Sequence, residues 1–179
     1  MILYALRHAA TPAAAGPVGR LDVPIVGTHA AAAEAALHAL GARARPTVVW
    51  SSPLSRCGDT ARALATRLRV PHALDERLLE ISYGEWEGRR WDDLPSDATA
   101  AWMRDWEHHG PPGGESAQAV GRRVAEWLAA LPGTPQLLIA HAGVVRALRV
   151  LLAGSTWPDA MAVPVAHLGQ PEAMAEFRT

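Results

Sequence analysis

Three short apolar runs, each closing on a polar residue, limit what this chain can fold into. Residues 2–6 (ILYAL) stop at Arg7-His8, residues 47–50 (TVVW) at Ser51-Ser52, and residues 136–140 (QLLIA) at His141. None alternates apolar with polar, so each reads as a strand covered on both faces, as in a parallel sheet. Parallel neighbours need long crossovers, and the intervening segments carry helical patterns. Thr28 can cap a helix over residues 29–40 that Gly41 ends. Ser52 and Pro53 suit the N-cap and first position of a helix whose buried stripe is Ala61, Leu64, Ala65 and Leu68. Within residues 116–131, Val120, Val124, Trp127, Leu128 and Leu131 recur at helical spacing before Pro132-Gly133, and residues 143–152 return as a helix. Strands alternating with helices give an α/β fold with a mainly parallel central sheet.

The remaining segments are less regular. Six prolines and glycines make residues 9–27 a loop, and residues 71–74 suit a brief strand. Residues 75–115 are rich in Trp, Gly, Pro and charge, with one helix expected near residues 98–107. The tail predicts edge strands at 163–168 and 173–177 around a Gly169-Gln170-Pro171 turn. No linker divides the chain, so residues 1–179 are expected to form a single domain. Its 49% hydrophobic content can fill a core without disulfides or metal. Cys57 is the only cysteine, which rules out an internal disulfide and points to a reducing compartment. With 17 Lys+Arg against 18 Asp+Glu there is no basic field for nucleic acid or an anionic membrane. No apolar run approaches the roughly 20 residues of a membrane helix. The expectation is a cytoplasmic protein.

In open parallel sheets, ligands bind beyond the carboxyl ends of the strands. Arg7-His8, Ser51-Ser52 with nearby Arg56, and His141 therefore converge if the three strands are neighbours. Arginine forks match phosphate oxygens, and the helix opening at Ser52-Pro53 favours an anion. The other histidines, at 29, 38, 72, 108, 109 and 167, read as bystanders.

Four blocks carry a resemblance. LRHAAT (residues 6–11), SSPLSRCGDTA (51–61), LLEISYGEWEG (78–88) and IAHAGVVRAL (139–148) resemble, in order, the blocks of the histidine phosphatase superfamily, which also holds the phosphoglycerate mutases. The resemblance implies a phosphoglycerate mutase-like three-layer sandwich, with helices on both faces of the sheet. It implies a phosphomonoesterase with His8 as nucleophile, Arg7, Arg56 and His141 on the phosphoryl oxygens, and Glu80 as proton donor. Neither cofactor nor metal is implied, so the expectation is a metal-independent, acid-type phosphatase whose partner is a small-molecule phosphate ester. The usual Arg-His-Gly-Glu-Thr reads here as Arg7-His8-Ala9-Ala10-Thr11, and a frequent asparagine falls near Ala14. One phosphate donor is then either missing or supplied by Thr11 or a backbone N–H group.

GRLDVP (19–24), EGRRWDDLP (87–95) and PPGGES (111–116) resemble the α-ribazole phosphatase branch of cobalamin biosynthesis. That resemblance implies α-ribazole 5′-phosphate, or its corrinoid-linked form, as substrate. Trp86, Trp91, Trp102 and Trp106 can furnish an aromatic wall for a flat base, with Trp86 the expected contact. The alternatives are a broad-specificity phosphatase, a phosphoglycerate mutase, or a catalytically silent phosphate-binding regulator, the last marked by the alanines at 9, 10 and 14. The sequence leaves the oligomeric state open.

Overall fold

The structure, a computed structural model, describes residues 2–169 and 174–178. Its elements in chain order are β1 (Ile2–Ala9), α1 (His29–Leu40), β2 (Val48–Ser51), α2 (Ser55–Leu68), β3 (His72–Leu74), α3 (Ser96–Arg104), α4 (Ala117–Ala129), β4 (Gln136–Ala140), α5 (Ala142–Ala153), α6 (Trp157–Ala162), β5 (His167–Leu168) and β6 (Met174–Arg178). The sheet runs β3-β2-β4-β1-β5, all parallel, while β6 lies antiparallel on β1. None of these helices is long and apolar enough to cross a membrane.

Successive side chains leave a strand on opposite faces, and that geometry sorts the apolar runs into two cores. Tyr4, Leu6, Leu137 and Ile139 pack with α1 and α2 through Ala33, Ala36, Ala61 and Leu64. Leu3, Ala5, Leu138 and Ala140 pack with α4, α5 and α6 through Val124, Trp127, Val144 and Trp157. The result is the expected three-layer sandwich with helices on both faces. β1 is followed by a helix on one face and its neighbour β4 by a helix on the other, so a crevice opens between their carboxyl ends.

Several local expectations shift. Thr28 caps α1 by accepting from the Ala31 N–H, and Gly41 ends it, as the sequence suggests. The second helix does not start at Ser52-Pro53. It begins at Ser55, and Ser52 Oγ instead accepts from the Leu54 N–H in the turn before it. Asp22 reaches in from the 9–27 loop to accept from both the N–H and the hydroxyl of Ser55. The first N–H of that helix is thus already taken by a carboxylate of the chain itself. The 75–115 region adds α3, earlier than expected, and 3-10 turns at Glu76–Leu78, Gly84–Trp86 and Trp91–Asp93. The short α6 carries no clear periodic signal in the sequence. β5 and β6 do not pair with each other; both lie along β1, at Arg7–Ala9 and at Ile2–Leu6 respectively. Gln170, Pro171 and Ala173 of the expected tail turn and strand lie outside the described residues.

The 82–88 turn is pressed against the 110–115 loop. Gly84 has φ +55°, and a Cβ there would come 2.2 Å from the Pro112 carbonyl oxygen. Gly84→Ala should therefore cost about 2–4 kcal/mol in urea denaturation, combining left-handed strain with a backbone clash. Gly133→Ala, whose Cβ meets open space, should stay within about 0.5 kcal/mol.

Candidate active site

The register of β1 on β4 places the first two site residues. Arg7 lies opposite Ala140, so one step further on His8 comes beside His141, their ring centroids 5.3 Å apart. On the other side Arg7 lies opposite His167, whose ring is 5.4 Å from that of His8. His8 is thus flanked by two imidazoles. Arg56, in the first turn of α2, is only 2% exposed, and its guanidinium donates to the carbonyls of Leu21 (2.6 Å) and Gly19 (2.7 Å). Arg7 donates from one terminal nitrogen to the Val165 carbonyl at 2.9 Å, while its Nε is buried without a partner.

His8 Nδ1 lies 2.7 Å from the carbonyl oxygen of Ala9. A carbonyl only accepts, so Nδ1 carries the hydrogen and Nε2 keeps its lone pair. Burial, then the charges of Arg56 and Arg7, push the His8 pKa down to about 3 against the opposing effect of the Ala9 carbonyl. Burial, followed by Arg56 and His8, likewise holds His141 well below the ordinary histidine value. The buried Cys57 thiol packs against the His141 ring, with Sγ 3.5 Å from Nε2, and burial raises its pKa. An uncharged imidazole with a free lone pair, set among two guanidiniums, can act as a nucleophile toward an anionic phosphoryl group.

Glu80 stands beside this cluster. Its Oε1 accepts from the backbone N–H groups of Ile81 and Gly143, both at 3.0 Å, so it also caps the start of α5. A Cβ at position 143 would sit 2.4 Å from that oxygen, which accounts for the glycine. Behind it, Arg123 donates to the Glu80 carbonyl (3.1 Å) and to both Glu115 oxygens, and Arg20 pairs with Glu115 at 3.0 Å while approaching the Glu80 carbonyl at 3.3 Å. Burial works to raise the Glu115 pKa, but Arg123, the Ser82 N–H and Arg20 together hold it below the ordinary value. Glu87 Oε1 accepts from the backbone N–H groups of Tyr83 and Arg20. Glu85 is exposed, as are Arg89 and Arg90.

A cavity of about 290 Å³ begins at Glu80 and Gly143 and is walled by Tyr83, Trp102, Trp106 and Trp157. Burial, then the nearby Glu80 charge, raises the Tyr83 pKa to about 12. Trp86, the aromatic expected at the substrate, is 2% exposed and is not part of the cavity wall. It packs edge-on against Trp102, which takes the wall position in its place. The periodicity of a Gly- and Trp-rich loop cannot say which indole faces inward. Thr11 lies half-buried two residues beyond β1. Two further site residues escape the sequence reading. His167 ends a short apolar run just as His8 and His141 do, and that shared pattern was the available signal. Arg146 lines the cavity five residues after His141 on α5. Among the described residues, no group of three or more His, Cys, Asp or Glu side chains is placed to hold a metal ion.

A family model for the histidine phosphatase superfamily (branch 1) matches residues 3–169. A glucosyl-3-phosphoglycerate phosphatase of Mycolicibacterium vanbaalenii is 36% identical over 177 residues, covering 87% of this chain and 77% of that protein. An adenosylcobalamin/alpha-ribazole phosphatase of Salmonella typhimurium is 31% identical over 169 residues, covering 88% and 84%. The crystal structure of the alpha-ribazole phosphatase from Shigella flexneri superposes with a TM-score of 0.79 at 29% identity, covering 93% and 87% of the two chains.

The buried histidines tie stability to pH. A folded-state pKa below the unfolded value of about 6.5 means that the unfolded chain binds protons first as pH falls. The contribution is fully present above about pH 6.5 and is lost progressively toward pH 3 for His8. His8 alone should cost about 2 kcal/mol at pH 5, and His141 adds in the same direction. Urea melts at pH 7.5 and 5.0 check this; equal midpoints would mean that the imidazoles are solvated.

Proposed function

The chain belongs to the histidine phosphatase superfamily and is a phosphatase, and from there we propose that it cleaves phosphate monoesters through a phosphohistidine on His8. The observation that carries this reading is the Nδ1 bond from His8 to the Ala9 carbonyl, which leaves Nε2 free beside Arg7, Arg56 and His141. In the first step Nε2 bonds to phosphorus as the P–O bond to the alcohol breaks. Arg7, Arg56 and His141 offset the charge on the equatorial oxygens. Glu80, at the boundary with the cavity, gives its proton to the departing alkoxide. It then takes one from a water that attacks phosphorus, breaking the P–N bond and releasing phosphate. With Glu80 on that side, the alcohol half of the ester lies in the cavity.

The indole walls support a ring-bearing alcohol such as α-ribazole 5′-phosphate or its corrinoid-linked form, and the similarity to a phosphatase named for that ester supports the same reading. A second reading, glucosyl-3-phosphoglycerate, is favoured by the 36% identity to a phosphatase of that ester. Stacking on one indole is worth roughly 1–3 kcal/mol, about 5- to 150-fold in selectivity. Trp102→Leu and Trp106→Leu should each raise KM for the ring-bearing ester while costing less on p-nitrophenyl phosphate. The kcat/KM for α-ribazole 5′-phosphate should exceed that for 3-phosphoglycerate; the reverse order ends the cobalamin reading and leaves the phosphatase standing.

Two measurements test the chemistry itself. Quenching with labelled substrate should trap an adduct that is labile in acid and stable in base, absent from His8→Ala; an acid-stable ester would place the nucleophile elsewhere. Glu80→Gln keeps an oxygen for the Ile81 and Gly143 N–H groups, so the local fold should hold. It should slow alkyl phosphates at least about 100-fold and nitrophenyl phosphate much less, since nitrophenolate leaves without a proton. Prolonged chelation should leave both rates unchanged.

A further inference from the structure

On its β4 side, β1 runs in unbroken register from Leu3 to Arg7. On its β5 side the register shifts at His8: Arg7 stands opposite His167 and Ala9 opposite Leu168, so two steps along β1 answer one along β5. A step of this kind disrupts the ladder locally and re-aims the side chain it carries. The peptide joining His8 to Ala9 lies within the step, and a side chain takes hold of it. His167 Nδ1 lies 3.0 Å from the His8 carbonyl oxygen. A carbonyl only accepts, so Nδ1 carries a hydrogen and donates, whether the ring as a whole is neutral or charged. The next carbonyl along the chain, that of Ala9, is the one that accepts from His8 Nδ1 at 2.7 Å. Two residues before His167, the Val165 carbonyl accepts from Arg7. Residues 165–167 thus grip Arg7 by its side chain and His8 by its backbone.

We infer that His167 is a positioning residue for the nucleophile: its Nδ1–H pins the peptide between His8 and Ala9 and so keeps the Ala9 carbonyl in line with His8 Nδ1. The tautomer of an imidazole is set by the bond that one of its nitrogens makes. Were that peptide to turn, the Ala9 carbonyl would move off Nδ1, and the hydrogen of His8 could sit on either nitrogen. A neutral ring with its hydrogen on Nε2 has no lone pair there to offer phosphorus. His167 acts through His8 and not on the substrate. Its half-buried ring, 5.4 Å from that of His8, stands on the β5 side of the nucleophile as His141 stands on the β4 side. The inference rests on His8 as the nucleophile, as proposed above, and gives work to a histidine that reads as a bystander in the sequence.

The test joins ring-nitrogen NMR of the histidines to single-turnover kinetics with p-nitrophenyl phosphate, on the unaltered protein, His167→Leu and His167→Asn. In the unaltered protein His8 and His167 should both carry the hydrogen on Nδ1. Leucine removes the donor, so His8 should become a mixture of tautomers. Phosphohistidine formation should then slow about 10- to 100-fold, the cost of a misplaced reacting group. Inhibition by inorganic phosphate should be little changed, since the residues that bind it remain. An asparagine amide nitrogen can donate from near the place of Nδ1, so His167→Asn should return the Nδ1 tautomer and most of the lost rate. Lost packing alone would lower the melting temperature without moving the His8 hydrogen. A leucine variant with the tautomer or the rate unchanged overturns the inference, as does an asparagine variant no better than leucine. If the leucine variant does not fold, the unaltered protein decides, because a His167 hydrogen found on Nε2 and not on Nδ1 also overturns it. Failure of the phosphohistidine reading is separate and shows as turnover that survives His8→Ala.

Discussion

The hydrogen-bonded register between β1 and β4 is the constraint on which the rest of the molecule depends. It pairs Arg7 with Ala140 and so delivers His8 and His141 to the same level of the crevice. A slip of one residue would turn every side chain of β1 to the opposite face. Tyr4 and Leu6 would then leave the core they share with α1 and α2, and Leu3 and Ala5 the core under α4 and α5. Because both faces are apolar and buried, that slip is heavily penalised. The distance between the two imidazoles is thus held by packing on either side of the sheet, with no need for a direct bond between them.

A second level of control is electrostatic. Glu80 has to stand close to a nest of positive charge without collapsing onto it. The backbone N–H groups of Ile81 and Gly143 fix one carboxylate oxygen, and Arg20 and Arg123, joined through Glu115, fix the carbonyl of the same residue. Three segments that resemble a substrate-specific branch at the sequence level all feed this brace. Residues 19–24 supply Arg20 and the carbonyls that hold Arg56, residues 87–95 supply Glu87, and residues 111–116 supply Glu115. Their visible work is to position Glu80 and Arg56, away from the indoles of the cavity wall.

That division explains what was legible from residues alone. The apolar runs that stop at Arg7-His8 and His141 could be read directly, because a buried parallel strand leaves a plain apolar signature, although β1 itself continues through Arg7 and His8 to Ala9. Arg56 was found through its block, though the helix that carries it begins at Ser55 and not at Ser52. The failures lie where position depends on contacts distant in sequence. Trp86 and Trp102 are chemically equivalent in a list, and only the folded packing buries Trp86 and leaves Trp102 on the cavity wall. His167 looked like a bystander because the run before it carries Pro164 and the strand it opens has only two residues, so its signal was weaker than that of His8 or His141. Arg146 was invisible as a site residue because helical phase alone does not reveal that a cavity adjoins that face of α5.

The edge of β1 has one more consequence. Residues 2–6 are clasped by the antiparallel β6, whose last described residue is Arg178, while residues 7–9 are flanked by β5. The strand that carries His8 pairs only with strands that lie more than a hundred residues further along the chain. Closing such long loops is entropically costly and slow. Until β4 has docked, Arg7 and His8 therefore lie on an apolar segment with no lateral partner, and until β5 and β6 dock that segment keeps one bare edge. His8 and His141 therefore meet only after these distant strands have joined, so a chain lacking β4 to β6 should present a sticky strand edge where the folded molecule presents a buried histidine.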